Sequence, residues 1–408
     1  MKRVAFLLAL LLVSVGAYAA DFADLYSEIS QLYGVPDSHT GLTAFPTLLV
    51  PMGGLYEGMG TAFTAVASDS SFLDANPAAS AVLNNSEMSF LHNDWIADSR
   101  LEGVVYTARF NDLGIGVGGK FLYLPFTAYD DWGEQVSKGY YSESVATLNV
   151  SYNLFSSYYF YGLALGANVK AAYRNVPVAL YPGQSDLTGM IDLGALTRVN
   201  FLKFYTSHDR NFSIGAAVKN LGLYAQGDPL PTEASAGIAY SPIRPLLLSF
   251  DFNYPFSLSP ALYPAEEWNV AGGMDLELTD YFSIQGGFSY RGSDPHITIG
   301  STVTLQTITL DINYTLDMTT QLGTADRFSV AAKLNLGDGG RSTIQREVEA
   351  YYVNGLEAYA KGNYSDAIAY WEEALKLDPT FQPAQEYITT AKRAMQLEND
   401  MQNVRKIG

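Results

Sequence analysis

The sequence predicts a transmembrane β-barrel of fourteen antiparallel strands with an N-terminal hatch inside its lumen, followed by a small all-α unit. Three observations indicate this fold class. Long segments alternate between apolar and polar residues, 48% of the residues are hydrophobic while 16% are charged, and the periodicity becomes helical near residue 345. Many apolar residues without a long apolar run are typical of a barrel that crosses a membrane with strands.

Segment 159–173, with the sequence YFYGLALGANVKAAY, shows the alternation most clearly. Its odd positions are aromatic at both ends and mostly aliphatic between them, whereas its even positions are mostly small or polar. A strand that spans a bilayer needs about 9–11 residues and carries aromatic residues at both interfaces. Because an unpaired strand edge is too costly in lipid, the rest of the chain is expected to close a barrel around this strand.

Residues 1–19 are predicted to be a signal peptide. Lys2 and Arg3 precede the apolar run Ala5–Val15, and Ala17-Tyr18-Ala19 fits a cleavage site. The apolar run is too short for a membrane anchor, and no other run of about 18 apolar residues predicts a spanning helix. The chain has no cysteine, so disulfides, thiolate metal sites and an N-terminal lipoprotein anchor are excluded.

Residues 20–85 do not alternate and are predicted to form a hatch that plugs the lumen. A short helix is expected within 21–33, and the segment 41–83 is rich in Gly, Ala and Ser, which pack tightly in a confined space. A segment of about 65 residues before the first strand is long enough to fill a barrel of this size. An open porin is therefore the least favoured interpretation.

Residues 86–336 are predicted to form the barrel. Links after even strands are mostly short and links after odd strands are mostly longer, including 125–143, which indicates that both chain ends lie in the periplasm. The predicted strands are 86–95, 100–110, 113–124, 144–154, 159–174, 188–201, 211–220, 232–240, 245–254, 267–278, 281–291, 295–304, 306–316 and 326–336.

Residues 337–344 are predicted to be a linker, and residues 345–408 a periplasmic tetratricopeptide-repeat unit. Val348–Phe381 has the length of one such repeat, about 34 residues. A single repeat exposes apolar surface, so the unit is expected to dock under the barrel or to bind a periplasmic protein. The residues expected to pack the two helices of the repeat are Gly355, Tyr364, Ala367, Trp371, Ala374 and Pro379.

Composition and motifs argue against several classes of function. The net charge of −18 disfavours nucleic acid as a partner. Gly114–Gly119 matches G-x-G-x-x-G but lies within a predicted strand, so its glycines are expected to leave room for the hatch instead of binding a nucleotide. The four histidines show no metal-ligand spacing, and no catalytic motif occurs. We therefore expect no enzymatic activity, no cofactor and no metal.

The luminal face of the predicted barrel carries cations, of which Lys120, Lys170 and Arg174 are the candidate substrate-binding residues. Lys170 and Arg174 lie on one face of one strand and could hold an anionic head group while apolar hatch residues cover its tail. The alternative is a structural network of ion pairs, because Asp192 on the next strand lies within reach. The other predicted luminal cations are Arg198, Lys219, Arg291 and Lys333.

The segment Gly58–Ala79 resembles the hatch of outer-membrane long-chain fatty acid transporters, the FadL-like family. With the following strands, the resemblance covers about residues 20–336, and the same pattern also resembles barrels of the type IX secretion apparatus. The combination with a C-terminal tetratricopeptide repeat is most similar to a treponemal, and hence spirochaete, branch of FadL-like proteins. The matching hatch residues are Gly58, Gly60, Asp69, Asn76, Pro77 and Ala78.

This resemblance implies an outer-membrane importer of long-chain fatty acids or similar hydrophobic compounds. Such cargo would be captured outside, pass the hatch and leave sideways into the outer-membrane lipid through a strand kink, and the periplasmic unit would receive it or recruit a partner protein. The very short link Ala97–Ser99 argues against the outer binding groove that such transporters usually have. The alternative function is a non-transporting outer-membrane platform that binds secretion or envelope-assembly proteins.

Overall fold

A computed structural model describes residues 37–130, 132–178, 183–207, 209–222, 224–260, 264–292, 294–318 and 326–407. The predicted signal peptide and the helix expected within 21–33 lie outside these residues. Within them, fourteen strands form a closed antiparallel barrel in which each strand pairs with its neighbours in sequence and β1 pairs with β14. The predicted fold class is confirmed.

The strands correspond closely to the predicted segments. They are β1 Ser86–Asp94, β2 Arg100–Phe110, β3 Leu113–Tyr129, β4 Gln135–Leu154, β5 Leu163–Asn175, β6 Asp186–Val199, β7 Phe212–Gly222, β8 Glu233–Tyr240, β9 Leu246–Pro255, β10 Asn269–Thr279, β11 Phe282–Arg291, β12 Asp294–Leu305, β13 Ile308–Asp317 and β14 Arg327–Gly337.

Alternation along each strand separates an apolar exterior from a polar lumen. On β5, Leu163, Leu165 and Val169 point outward and are 36%, 43% and 60% exposed, while Asn168 and Lys170 point inward and are buried. Leu248 and Phe250 on β9 are likewise exposed. The predicted outward orientation of these residues is confirmed. Among the described residues, no helix is both long enough and apolar enough to cross a membrane.

Two links between strands differ most from the prediction. The segment 125–143, predicted as a loop, mostly extends the β3–β4 hairpin, because Asp130 Oδ1 accepts hydrogen bonds from the backbone N–H groups of Trp132 and Glu134 and closes a tight turn. The strand predicted from Tyr159 begins at Leu163 instead. Gly162 has a φ of +99°, which strand residues do not adopt, so the β4–β5 link is longer than predicted.

Residues 37–85, here called the plug, fill the lumen. They contain one short helix, α1 (Gly54–Gly58), and the 3₁₀ turns Pro46–Leu48, Ser70–Asp74 and Pro77–Val82. Phe45, Met59, Phe63 and Phe72 are completely buried between the plug and the barrel wall. An apolar core therefore lies inside the barrel, whose wall itself presents polar residues to it.

Three helices follow the barrel: α2 (Arg341–Ala360), α3 (Tyr364–Leu377) and α4 (Gln382–Ile407). The linker predicted at 337–344 is shorter than expected, because α2 already begins at Arg341. The Asp338 carboxylate accepts hydrogen bonds from the backbone N–H groups of Gly340 and Ser342, 2.9 and 2.8 Å long, and satisfies donors at the helix start.

The predicted repeat residues lie where α2, α3 and α4 meet. Ala367, Trp371 and Ala374 are completely buried. A Cβ added at Gly355 would lie 2.3 Å from Trp371 Nε1, so only glycine permits this helix approach. Tyr364 begins α3 with its ring 5.3 Å from that of Tyr359, and the carbonyl of Pro379 before α4 accepts a 2.9 Å bond from Gln385 Nε2.

Candidate functional site in the plugged lumen

The lumen holds a polar cavity of about 120 Å³ between the plug and the wall. Plug residues such as Leu48 and Tyr56 form one side, and inward-facing residues of several strands form the other. The charged residues that line it are Asp74, Lys120, Lys170, Lys219, Glu233, Arg291 and Arg327. Buried charges are costly unless they are paired, so the pairing of these groups decides what the cavity can bind.

Three cations of the wall pair with carboxylates of the plug. Lys120 Nζ on β3 lies 2.5 Å from Asp74 Oδ2. Arg327 Nε on β14 lies 3.1 Å from Glu57 Oε1, which also accepts a 3.0 Å bond from the Thr315 hydroxyl. Lys333 Nζ, also on β14, contacts Asp69. Ion pairs therefore attach the plug to the wall, with the carboxylates on the plug and the cations on the wall.

Other cations pair with carboxylates of the wall itself. Lys170 Nζ lies 2.6 Å from Asp192 Oδ2 and donates a 3.0 Å hydrogen bond to Asn220 Oδ1. Lys219 Nζ lies 3.0 Å from Glu233 Oε1. These pairs do not involve the plug, so they do not depend on its position. The ion-pair alternative weighed for Lys170 from the sequence corresponds to the observed contact with Asp192.

The three predicted substrate-binding cations do not form one site. Lys120 and Lys170 line the same cavity, but Arg174 is not among its lining residues. The Arg174 guanidinium carbon lies 5.7 Å from the centre of the Phe45 ring. Phe45 has a left-handed φ of 59° and packs with other apolar residues in a buried cluster, here called the apolar cluster: Ala44, Phe45, Val145, Ala172, Met190, Ala225 and Leu230.

The hatch motif fixes the plug to the wall through a buried turn. Asn76 is completely buried. Its Nδ2 donates to the carbonyls of Thr64 and Ala195 at 2.7 and 3.0 Å, and its Oδ1 accepts from the backbone N–H of Ala78 at 3.0 Å. Pro77 begins the following 3₁₀ turn, where its missing N–H has no cost. One amide side chain thus joins two parts of the plug to strand β6.

Glycines of the wall let the plug backbone approach closely. A Cβ added at Gly114 would lie 2.2 Å from the Ser80 carbonyl carbon, and one added at Gly166 would lie 2.2 Å from the Pro77 carbonyl oxygen. The prediction that the Gly114–Gly119 pattern leaves room for the hatch is confirmed. On the plug side, Gly60 has a φ of +60°, and a Cβ added there would clash with the backbone of β11. A Cβ added at Gly58 would clash with the side chain of Asn313.

The wall beside the cavity is interrupted between β6 and β7. The pairing register shifts between Ile191 and Leu193. Asn220 adopts a left-handed φ of 57°, and its backbone N–H donates a 2.7 Å hydrogen bond to Asp192 Oδ1. Here a hydrogen bond from the backbone to the Asp192 side chain replaces one between the two backbones, as happens at a β-bulge. This break could not be predicted from the sequence, because both segments alternate normally around it.

One group of side chains in the described residues has the composition of a cation site. Ligand atoms of Asp294, His296 and Asp317 lie within 4.8 Å of one another at the end of β12 and β13. The sequence spacing did not reveal them because two come from one strand and the third from its neighbour. His296 and Arg327 line the same cavity, and the guanidinium charge opposes a bound cation nearby.

The helical unit rests against one end of the barrel and reaches the plug. Arg341 Nη1 donates a 2.8 Å bond to the Arg109 carbonyl, and its Nη2 contacts the carbonyl of plug residue Leu83 at 3.4 Å. The rings of Tyr158 and Phe381 lie 5.1 Å apart, centre to centre. Contacts of this kind join the last plug residues, the β4–β5 link and the three-helix unit.

A closed barrel with a plugged lumen and an apolar exterior defines an outer-membrane-type β-barrel protein. The chain belongs to the uncharacterised protein family UPF0164, which matches residues 27–339. A tetratricopeptide repeat matches residues 348–381, as the sequence predicted.

Relatives of the chain support the predicted treponemal branch. One UPF0164 protein of Treponema pallidum is 28% identical over 388 residues, covering 90% of this chain and 87% of the relative. A second is 26% identical over 389 residues, covering 86% and 75%. The organism of these relatives agrees with the treponemal resemblance read from the sequence.

Solved structures with a similar fold include a TodX channel and a FadL homologue. A TodX deltaS2S3 mutant monoaromatic hydrocarbon channel has a TM-score of 0.46 at 13% identity, with 69% of this chain and 96% of that chain covered. A Pseudomonas aeruginosa FadL homologue has a TM-score of 0.43 at 11% identity, covering 69% and 97%. These are likenesses of fold at low sequence identity.

Proposed function

We propose that the protein is a non-enzymatic outer-membrane importer of amphiphiles that carry an anionic head and an apolar tail, with long-chain fatty acids as the expected cargo. Residues 345–408 face the periplasm, where they receive cargo or recruit a protein partner. The observation that carries this proposal is the pairing of plug carboxylates Glu57, Asp69 and Asp74 with cations of the wall.

A cargo carboxylate is chemically equivalent to the plug carboxylates that it would replace. Moving the plug alone would strand Lys120 without Asp74 in a buried site, and removing one partner of a buried pair costs about 3–5 kcal/mol. An incoming anionic head that binds Lys120 offsets this cost, so plug movement is favoured when such cargo is present. Lys170 keeps Asp192 throughout and contributes less to this exchange.

The apolar cluster around Phe45 supplies the surface for the tail. Its members Met190 and Leu230 come from the wall and from the β7–β8 link, and Phe45 comes from the plug. A left-handed φ at a residue with a Cβ costs about 1–2 kcal/mol, so displacement of Phe45 by a tail would release strain. Arg174 beside Phe45 would then lie at the boundary between head and tail.

Passage requires rearrangement of the plug and an exit from the lumen. The cavity of about 120 Å³ is smaller than the roughly 300–1,000 Å³ typical of sites for drug-sized ligands. The interruption between β6 and β7 adjoins the cavity at Asn220, so we place the sideways exit there. Outside it lie exposed Ile191 and Leu193, which present an apolar path to lipid.

Flux into proteoliposomes tests the proposal. The full chain should admit a labelled long-chain fatty acid faster than its uncharged alcohol, and should exclude a small hydrophilic sugar. Asp74→Asn removes the plug partner of Lys120 and should raise fatty acid flux more than alcohol flux. Asp280→Asn, in an exposed turn outside the lumen, is the matched control. Equal changes for acid and alcohol in the Asp74 variant would contradict exchange of carboxylates.

The second candidate function is a non-transporting platform for secretion or envelope-assembly proteins. Occupation of most of the lumen by the plug favours it, because a plugged barrel serves as an anchor without any cargo. The docked helical unit would then present a partner-binding surface. Absence of fatty acid flux together with specific crosslinks from residues 345–408 to an envelope protein would favour the platform over the importer.

A further inference from the structure

An exposed apolar patch lies at the barrel end that carries the helical unit. It comprises Phe201–Tyr205 on the β6–β7 link and Ile243–Arg244 on the β8–β9 turn, and is called the interfacial patch here. Phe201, Leu202 and Phe204 are 51%, 62% and 71% exposed, and Ile243 is 44% exposed. Links at a barrel end normally enter water, so four large apolar side chains clustered there indicate contact with an apolar phase.

Hydrogen bonds hold the interfacial patch in this exposed arrangement. The Phe201 backbone N–H donates to Asn211 Oδ1 at 2.9 Å, and Asn211 Nδ2 donates back to the Phe201 carbonyl at 2.7 Å. The Tyr240 hydroxyl donates a 2.8 Å bond to the Leu202 carbonyl. Exposure of these apolar groups is thus built into the link through contacts with β8 and with the residue before β7.

The interfacial patch continues the lipid-facing surface of the barrel. The rings of Phe201, Phe212 and Tyr240 contact one another, with centres 5.4 to 6.1 Å apart. Directly along the same outward faces of β7 and β8 lie exposed Ile214 and Ile238. An aromatic cluster between an aliphatic band and a link is typical of the membrane interface.

Two cations lie among the apolar residues. Lys203 Nζ is 4.9 Å from the centre of the Tyr205 ring, and the Arg244 guanidinium carbon is 6.0 Å from it. Both also donate to carbonyls of the link, which leaves their charges intact. Counted along the sequence, the β6–β7 link and the β8–β9 turn carry the cations Lys203, Arg210 and Arg244 and the anion Asp209, whereas the whole chain carries −18.

We propose that the interfacial patch inserts Leu202, Phe204 and Ile243 among the acyl chains of the adjacent leaflet, while Lys203 and Arg244 bind the phosphate of an anionic phospholipid. Apolar side chains flanked by cations are the combination that binds an anionic membrane surface. Phospholipid is the occupant favoured over protein, because the patch is continuous with the lipid-facing band. The inference concerns anchoring and does not depend on cargo transport.

Spin labels at single cysteines test the insertion, and the absence of native cysteine makes them unambiguous. The full chain is reconstituted in phosphatidylcholine vesicles as Leu202→Cys or Phe204→Cys. Both labels should be relaxed by dissolved oxygen more than by a water-soluble nickel chelate, as at Leu165→Cys in the lipid band. Leu397→Cys on α4 should show the aqueous pattern. Preference for nickel at both patch positions, or shielding from both reagents by protein, would overturn the proposal.

Lipid selection tests the cations separately. The full chain is reconstituted in equal parts of phosphatidylcholine and phosphatidylglycerol, and bound lipid is identified by mass spectrometry. Each cation near a membrane surface contributes roughly fivefold to anionic lipid binding, so Lys203→Gln with Arg244→Gln should lower phosphatidylglycerol enrichment by up to about twenty-five-fold. Lys361→Gln with Lys376→Gln on the helical unit is the control. Unchanged enrichment in the patch variant would overturn the head-group assignment.

Discussion

Replacement of Asn76 by alanine should loosen the plug without changing the barrel wall. The Asn76 side chain makes three hydrogen bonds in a fully buried site, to Thr64, Ala78 and Ala195. Only the bond to Ala195 crosses from the plug to the wall, while the bonds to Thr64 and Ala78 stabilise the turn itself. One such bond contributes about 1 kcal/mol net, and because every 1.4 kcal/mol is about a tenfold change, the ratio of released to seated plug should rise roughly fivefold.

Conductance of the full chain in planar bilayers measures this change as the frequency of brief openings. Asn335→Ala is the matched control, since the Asn335 side chain lies exposed and accepts one local bond from Gly337. Gly166→Ala provides a second variant, because its Cβ would lie 2.2 Å from the Pro77 carbonyl oxygen and should displace the same turn from the wall side. An unchanged opening frequency in both, with normally folded barrels, would refute the anchoring role of the turn.

Three further results are expected. Leu165→Arg should lower the free energy of unfolding in bilayers by about 2–4 kcal/mol if the residue lies near the midplane, whereas Val178→Arg at an exposed link should change it little. Lys170→Gln with Arg174→Gln should weaken fatty acid and alcohol binding about equally, because Lys170 already pairs with Asp192 and Arg174 lies beside Phe45; a larger loss for the acid would show that the pair holds the head group. Hydrogen bonds from Ser342 and then Gly340 lower the pKa of Asp338 to about 2 from its ordinary 3.8. The ionised form is favoured in the folded state, so its contribution to the start of α2 is present above about pH 4 and lost between pH 4 and 2. The protection of the Ser342 amide, which is its exchange relative to the intrinsic rate at the same pH, should therefore fall over that range, and should not change with pH in Asp338→Asn.

The strands could be predicted because alternation reports directly on which face meets lipid. Leu163, Leu165 and Val169 on β5 face outward for the reason the sequence suggests, and β1 pairs with β14 because lipid forbids a free edge. The length of the β3–β4 hairpin could not be predicted. It depends on a turn that Asp130 closes through its own carboxylate, and above the bilayer no lipid enforces alternation.

The ion pairs inside the lumen could not be predicted from the sequence, because they depend on how the barrel closes around the plug. Lys333 on the last strand contacts Asp69 of the plug, 264 residues away in sequence. The position of Arg174 could not be predicted for the same reason. It lies on the same face of β5 as Lys170, but it contacts Phe45 and does not line the cavity. Alternation places a cation inside the barrel, but only the seated plug determines which acid meets it.

Contacts at Leu83 connect the plug to the helical unit. The Leu83 carbonyl accepts bonds from Arg341 of α2 and, at 3.1 Å, from Arg109 Nη1 of β2. Any movement that withdraws the end of the plug must break both contacts or carry α2 with it. If cargo favours such movement, the seating of the helical unit and cargo binding are thermodynamically linked, and a partner that prefers the undocked unit would in turn favour cargo entry. The short Asp338–Gly340 connection transmits this linkage better than the longer linker predicted from the sequence, because little slack separates β14 from α2.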